Sequence, residues 1–479
     1  MKSTIKLALA AVTLSLSGSA IAQNLKGSYF MEGSLFRHEL NPAFEAQQTY
    51  VSMPALGNLG IGVNGNFGLQ DVMFNRNGKT VTYLHPDVSV SDALGGLNSN
   101  NKLLINVNEQ ILGVGFRGIG GYNTISLNAR VFVGANLPYG IFEVTKDLQN
   151  KDYNIDDMSI YGQGYVELAL GHSHRIDDNW RVGGKLKFLF GGGRMKAEFE
   201  NLSLKMQNPN LWTATAQARV EGNVKGLVVK HKPEEYNNGQ PYETVDFDEL
   251  DVDGAGLGGF GMAVDLGAEY DFKDIVPGLK ASIALLDLGF ISWSESHIID
   301  NKNGKDDQGN PTYDSFEFKG FNNIRVKDGN GKKLSDQTDG LTDDLTKLYN
   351  LQYRGDEGSS THGIGATLNV GVEYALPVYD KVRFGLLSTT RFQGEYTWNE
   401  ERLSVNYTPC KWFEMNINGG LGTFGGSFGW MLNVHPVGFN FFIGMDHTLG
   451  SVSKQFVPLR SNADFTMGIN FPLTKVKKG

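Results

Sequence analysis

The chain has 479 residues, a formal net charge of −9 and one cysteine, Cys410. An acidic balance lacks the electrostatic footprint of a nucleic-acid-binding protein, and a single cysteine excludes an intramolecular disulfide framework. Beyond the first two dozen residues no run of about 18 apolar residues occurs, so no transmembrane helix is expected.

Residues 1–22 read as an export signal. Lys2 and Lys6 precede the apolar run LALAAVTLSLSG, and Ala20-Ile21-Ala22 supplies a small-x-small cleavage site ahead of Gln23. No cysteine stands at that point to carry a lipid anchor.

From residue 57 onward the dominant signal has period two. In GNLGIGVNGNFGL (57–69), Leu59, Ile61, Val63, Phe67 and Leu69 alternate with Asn58, Gly60, Gly62, Asn64, Asn66 and Gly68. The same alternation recurs at Ile125–Leu137, Val166–Leu170, Val182–Phe190, Met262–Tyr270, Ile364–Tyr374, Phe413–Ile417, Phe439–Met445 and Phe465–Phe471. Many of these runs exceed the roughly 5–6 residues of an ordinary strand and reach the roughly 9–11 of a tilted membrane-spanning one. Glycine, at 61 residues, falls repeatedly inside the runs, where a soluble sheet avoids it.

Tight connections (Asp177-Asp178-Asn179, Pro377–Asp380, Thr408–Lys411, His435–Gly438) contrast with long polar ones expected at about 196–255 and 295–360. In the second, Leu341, Leu345 and Leu348 are spaced for one side of a short helix. Trp180, Trp293, Trp398, Trp412 and Trp430 lie near run ends, where an interface aromatic belt would place them. The reading is all-β: a transmembrane antiparallel barrel over 46–473, of about 14 strands within a range of 12–16, in the outer membrane of a Gram-negative bacterium, with 474–479 as a tail. Apolar rows face lipid, and glycine and asparagine face an interior with room for loops or a plug.

Near the end, Thr466, Gly468, Phe471 and Leu473 lie in a stretch that resembles the C-terminal signal read by the barrel assembly machinery, with Leu473 in place of a final aromatic. Before the first strand, Asn41-Pro42-Ala43-Phe44 resembles the corresponding place in FadL-type hydrophobic-compound transporters and their Bacteroidota relatives, including the PorV-like barrels of the type IX secretion system. That resemblance implies a 14-stranded barrel whose N-terminal segment, here 23–45, is an inward plug.

Several motifs carry no chemistry in this context. Gly113-x-Gly115-x-x-Gly118 and Gly254-x-Gly256-x-x-Gly259 match a dinucleotide fingerprint, but strands rather than helices follow them. Asp251-Val252-Asp253-Gly254-Ala255-Gly256 lacks oxygen ligands where a calcium loop needs them. His172 and His174 share an outward face and read as an interface pair, and Asp446 and His447 point to opposite faces, so neither an enzyme, a metal nor a cofactor is expected. On the inner parity lie Glu167, Arg181, Lys185, Lys187, Asp265, Glu269, Glu373, Arg383 and Arg391, either an ion-paired interior or a solute route. Asp287 interrupts an apolar row, as a bulge, a lateral exit or a switch of parity.

Two functions are expected. One is uptake of a small hydrophobic or amphipathic compound past the plug; the other is docking of a surface protein partner on the long loops. Membrane lipid is a partner in both.

Overall fold

A computed structural model describes residues 25–147, 149, 151–205, 212–230, 235–237, 240–242, 245, 250–253, 256–313, 315–318, 351–448 and 462–474. The export signal, residues 341–348 and the tail from 475 lie outside them.

The alternating runs pair in sequence order into a closed antiparallel barrel of 14 strands. β1 is interrupted (Tyr50–Ser52 and Leu59–Gly65), and β2 (Asn100–Gly118), β3 (Gly121–Pro138), β4 (Met158–Arg175) and β5 (Trp180–Lys205) follow. β6 has an upper part, Trp212–Asn223, and a lower part, Gly259–Asp271. β7 spans Leu279–Trp293 with an extension at His297–Asp300; β8 spans Ser360–Gly363 and Ala366–Ala375 with an extension at Gln352–Asp356. β9 (Val382–Phe392), β10 (Trp398–Cys410), β11 (Phe413–Gly422), β12 (Gly425–Val434), β13 (Asn440–Met445) and β14 (Ala463–Pro472) complete the circuit. Closure comes from β14 on β1, with Tyr50 opposite Pro472 and Leu59 opposite Met467. Among the described residues no helix is long and apolar enough to cross a membrane.

The two ends of the barrel differ. Short hairpins gather at the end where Tyr50 meets Pro472, hereafter the turn end; the long connections gather at the other, the loop end. Part of the span expected as a loop, 196–255, is sheet. β5 continues through 26 residues, and its upper half pairs with Trp212–Asn223. An excursion then leaves between Asn223 and Gly259 before the ladder resumes at Gly259–Gly191. At about 3.3 Å per residue, β5 is far longer than a bilayer requires, so β5 to β8 form a wall standing beyond the membrane at the loop end. At the same end Val90–Leu94 (α1), Tyr139–Lys146 (α2) and the connection after β1 share an apolar cluster that includes Phe67, Tyr83 and Phe142.

Outward rows are open along the whole circumference: Leu266, Ile283, Val370, Leu403 and Ile417 are among the exposed large hydrophobics. Asn369, Arg402, Asn416 and Asn418, one residue out of phase with them, are buried. Four expected outward residues differ. Phe67 lies past the end of β1 and is buried in the loop-end cluster. Ile364, Trp293 and Trp398 are buried and face inward. Trp293 and Ile364 invert because the ladder changes parity at two adjacent places. On β7, Leu286 and Asp287 together oppose Asp265, a bulge with Asp287 at φ 58°. On β8, Gly365 at φ 85° separates the two segments. Asp287 is therefore a bulge that switches parity. Trp398 shares the inward phase of Glu400 and Arg402.

Candidate functional site

Residues 25–49 enter the lumen from the turn end as a non-regular segment with short 3₁₀ turns at Lys26–Phe30 and Arg37–Glu39. Its side chains are almost all buried. Leu25, Met31, Leu35 and Phe36 pack on Tyr50, Tyr122, Met431 and Phe442; Tyr29, Phe30, Leu40 and Phe44 pack with Leu387. Inner-face glycines make the room. A Cβ at Gly183 would stand 2.0 Å from the Pro42 carbonyl oxygen, and one at Gly385 2.2 Å from the Phe30 ring. The Asn41 side chain donates toward the Ala268 and Ile283 carbonyls and accepts from the Ala43 N–H at 2.9 Å, folding the Asn-Pro-Ala corner against β6 and β7.

Charged groups fasten this segment to the wall at three levels. Nearest the turn end, Glu45 pairs with Arg117 (2.5 Å) and Arg181 (3.3 Å). In a second layer Glu32 meets Lys280 (2.8 Å) and Arg383 (2.5 Å), Glu373 meets Arg383 (3.0 Å), and Glu414 accepts from the Gly33 N–H (2.9 Å). Arg181 also pairs with Glu269 at 3.3 Å, and Lys185 with Glu39 at 2.9 Å. The third level is a latch at residue 26. Asp446 accepts the backbone N–H groups of Lys26 (2.6 Å) and Gly27 (2.9 Å), while Lys26 Nζ reaches Glu400 at 2.5 Å under the Trp398 ring. Arg402 donates to Glu400 (2.6 Å) and to the Asp446 carbonyl (3.0 Å). His447 Nδ1 contacts Asp464, and its Nε2 lies 3.1 Å from Glu400. Two carboxylates can each accept from one imidazole only when both ring nitrogens carry protons, so the geometry describes an imidazolium. Lys26, Arg402 and His447 then balance Glu400, Asp446 and Asp464.

Between the segment and the loop end, Lys187 bridges Asp265 (2.8 Å) and Asp287 (2.6 Å), Arg391 meets Asp287 (3.0 Å), and Arg130 meets Glu167 (2.9 Å). Of these groups Arg130, Lys187, Asp287 and Arg391 border a cavity of about 130 Å³. Its floor is Lys26, Glu39 and Leu40 of the inserted segment; Phe132, Tyr165, Leu286 and Trp398 give it apolar walls.

All nine charged residues singled out from the sequence thus sit on the inner face, but in two groups: Arg181, Lys185, Glu269, Glu373 and Arg383 near the segment, and Lys187 and Arg391 lining the cavity with Glu167 and Asp265 paired to lining residues behind them. Thr466 and Gly468 lie inward on β14, and Phe471 and Leu473 are exposed at the turn end. His172 and His174 stack at 6.0 Å. The latch has no signature in the sequence pattern. Glu400 and Arg402 carry the inward phase of β10, whereas Asp446 and His447, expected on opposite faces, are both buried in the latch because they lie beyond the end of β13, where alternation no longer holds.

A model describing a family of unknown function, DUF5723, matches residues 42–446, from Pro42 through β13. The chain belongs to that family. No curated protein matches it. Among solved structures it is similar to the toluene transporter TodX of P. putida, at 7% identity over 91% of this chain and 93% of that one, TM-score 0.38. It is also similar to a Pseudomonas aeruginosa FadL homologue, at 10% identity over 95% and 100%, TM-score 0.40. A third is the translocator domain of the autotransporter NalP from Neisseria meningitidis, at 7% identity over 89% and 88%, TM-score 0.31. The strand ladder of this DUF5723 chain, and not these low likenesses, establishes its barrel.

Proposed function

We propose that this DUF5723 barrel resides in the outer membrane of a Gram-negative bacterium and takes up small hydrophobic or amphipathic compounds, with residues 25–49 as the gate. One observation carries the reading. A cavity whose lining sets Phe132, Tyr165, Leu286 and Trp398 among Arg130, Lys187, Asp287 and Arg391 ends on Lys26, Glu39 and Leu40 of the inserted segment. Apart from the Leu473 N–H to Thr49 carbonyl bond beside β1, that segment is held by side-chain bonds and packing, with no strand ladder to the wall among the described residues. Moving it breaks discrete pairs and leaves the barrel's hydrogen-bonded circuit intact.

In this reading a solute leaves water at the loop end and desolvates among Phe132, Tyr165 and Trp398. It advances when the latch at Lys26 opens; a concentration difference is the only drive required. Reconstitution in vesicles tests this. Uptake of a labelled amphiphile should exceed that of empty vesicles, and the double substitution Glu400→Gln and Asp446→Asn should raise it further by loosening Lys26 and Gly27. Flux equal to that of empty vesicles from both proteins contradicts the reading.

The wall of β5 to β8 beyond the membrane favours a second function, docking of a surface protein partner. A stoichiometric protein retained through purification in mild detergent, with no bound small molecule, supports that function over uptake.

A further inference from the structure

Every hairpin at the turn end carries a large apolar side chain in the open. Ile119 joins β2 to β3 and is 87% exposed; Ile176, before β5, is 60% exposed; Ile275, before β7, 72%; Val378, before β9, 95%; Trp412, before β11, 53%; and Val437, before β13, 79%. Turn tips in water are ordinarily glycine, asparagine, aspartate or serine. Nor does the backbone ask for these residues. Ile119 and Gly120 have φ of 52° and 75°, the two-residue geometry that favours Asn-Gly, and a β-branched residue is strained there.

The tips continue a lipid-facing surface. Beside and just inside them, the Trp180 ring lies 4.8 Å from Tyr270, and the hydroxyl of Tyr379, in the β8–β9 hairpin, lies 3.4 Å from that of Tyr407. Paired aromatics at a strand end are the belt expected at headgroup level. The six hairpins divide the whole circumference between them. A protein seated on one sector would account for one or two tips, whereas a medium that surrounds the barrel accounts for all. Charge at the same turns is mixed, with Arg175, Lys273 and Lys381 interspersed with Asp178, Asp274 and Asp380, so no single-sign patch marks a charged partner.

We propose that the turn end is seated within the membrane, its hairpin tips immersed in the headgroup–acyl boundary of the leaflet instead of projecting into water. On the uptake reading, and resting on it, a solute that passes the gate then emerges at that boundary.

The test replaces Cys410 with serine and introduces single cysteines by Ile119→Cys, Val378→Cys and Val437→Cys, widely spaced around the barrel. Gln308→Cys, in an exposed connection at the loop end, is the aqueous control. Each is labelled with an environment-sensitive fluorophore in vesicles of phosphatidylethanolamine and phosphatidylglycerol. Dissolved iodide should quench all three tips several-fold less than position 308, and a lipid spin-labelled near the headgroup should quench them strongly. Iodide quenching at the tips equal to that at 308 overturns the proposal, as does shielding confined to one tip. Vesicle seating is read without any transport, so failure of uptake and failure of this proposal are separate results.

Discussion

Gly183 shows how much one absent atom decides. Its Cβ position is occupied by the Pro42 carbonyl, a backbone atom that cannot swing aside. Gly183→Val should displace the Asn-Pro-Ala corner and destabilise the protein by about 1–3 kcal/mol, the usual range for overpacking. Unfolding in detergent would measure the loss, and limited proteolysis would show residues 25–49 newly accessible. Asp287 makes a different residue-scale case, because it does two jobs. Its carboxylate pairs with Lys187 and Arg391, and its backbone takes the positive φ of the bulge. Asp287→Asn keeps the backbone preference and removes the charge, leaving buried cations short of a partner at a cost of about 3–5 kcal/mol. Asp287→Leu should cost more, since it also loses the bulge residue. Equal unfolding temperatures for the two variants would show that the bulge needs no special residue.

Elements were legible where period two ran unbroken. The outward phases of β3, β4, β5 and β11 can be read directly from Ile125, Leu168, Leu186 and Ile417, because one face meets a uniform apolar medium. Two kinds of feature were not legible. Alternation cannot announce its own reversal, so it points Trp293 and Ile364 outward although the bulge at Asp287 and the break at Gly365 turn them in. Pairing between distant segments leaves no periodic trace either, so the latch of Lys26 with Glu400 and Asp446 appears only in three dimensions. The hairpin between β4 and β5 offers a prediction at this scale. Asp177 accepts the N–H groups of Trp180 (2.6 Å) and Asn179 (2.8 Å), and these bonds hold its carboxyl below the ordinary aspartate range. A carboxyl depressed by folding stabilises above its unfolded-state value and loses that contribution as pH falls through its lowered one. The wild type should therefore exceed Asp177→Ala in stability near neutral pH, with the gap closing in strong acid. A gap independent of pH would mean that the turn does not rely on the ionised cap.

At the scale of the whole molecule, closure and burial solve one problem from two sides. A closed circuit of β1 to β14 leaves no backbone edge in hydrocarbon, and the inserted segment fills a lumen too polar to collapse on itself. Its ion pairs balance locally, and that balance lets so many charges stand inside a narrow barrel. The latch adds a pH dependence to the whole. As His447 loses its second proton it can no longer donate to both Asp464 and Glu400, so the protection of amides across residues 25–31, taken relative to their intrinsic exchange rates at each pH, should fall as pH rises. His447→Asn should remove that dependence.

The central claim is that acyl chains solvate the outward rows. Incorporation of a phospholipid with a diazirine at mid-chain, photolysis and residue-level mass spectrometry test it most directly. Val370, Leu403 and Ile417 should take up label while Asn369, Arg402 and Asn418, one residue away on the same strands, do not. Labelling with no alternation, or none on either row, would contradict the barrel's placement in the membrane.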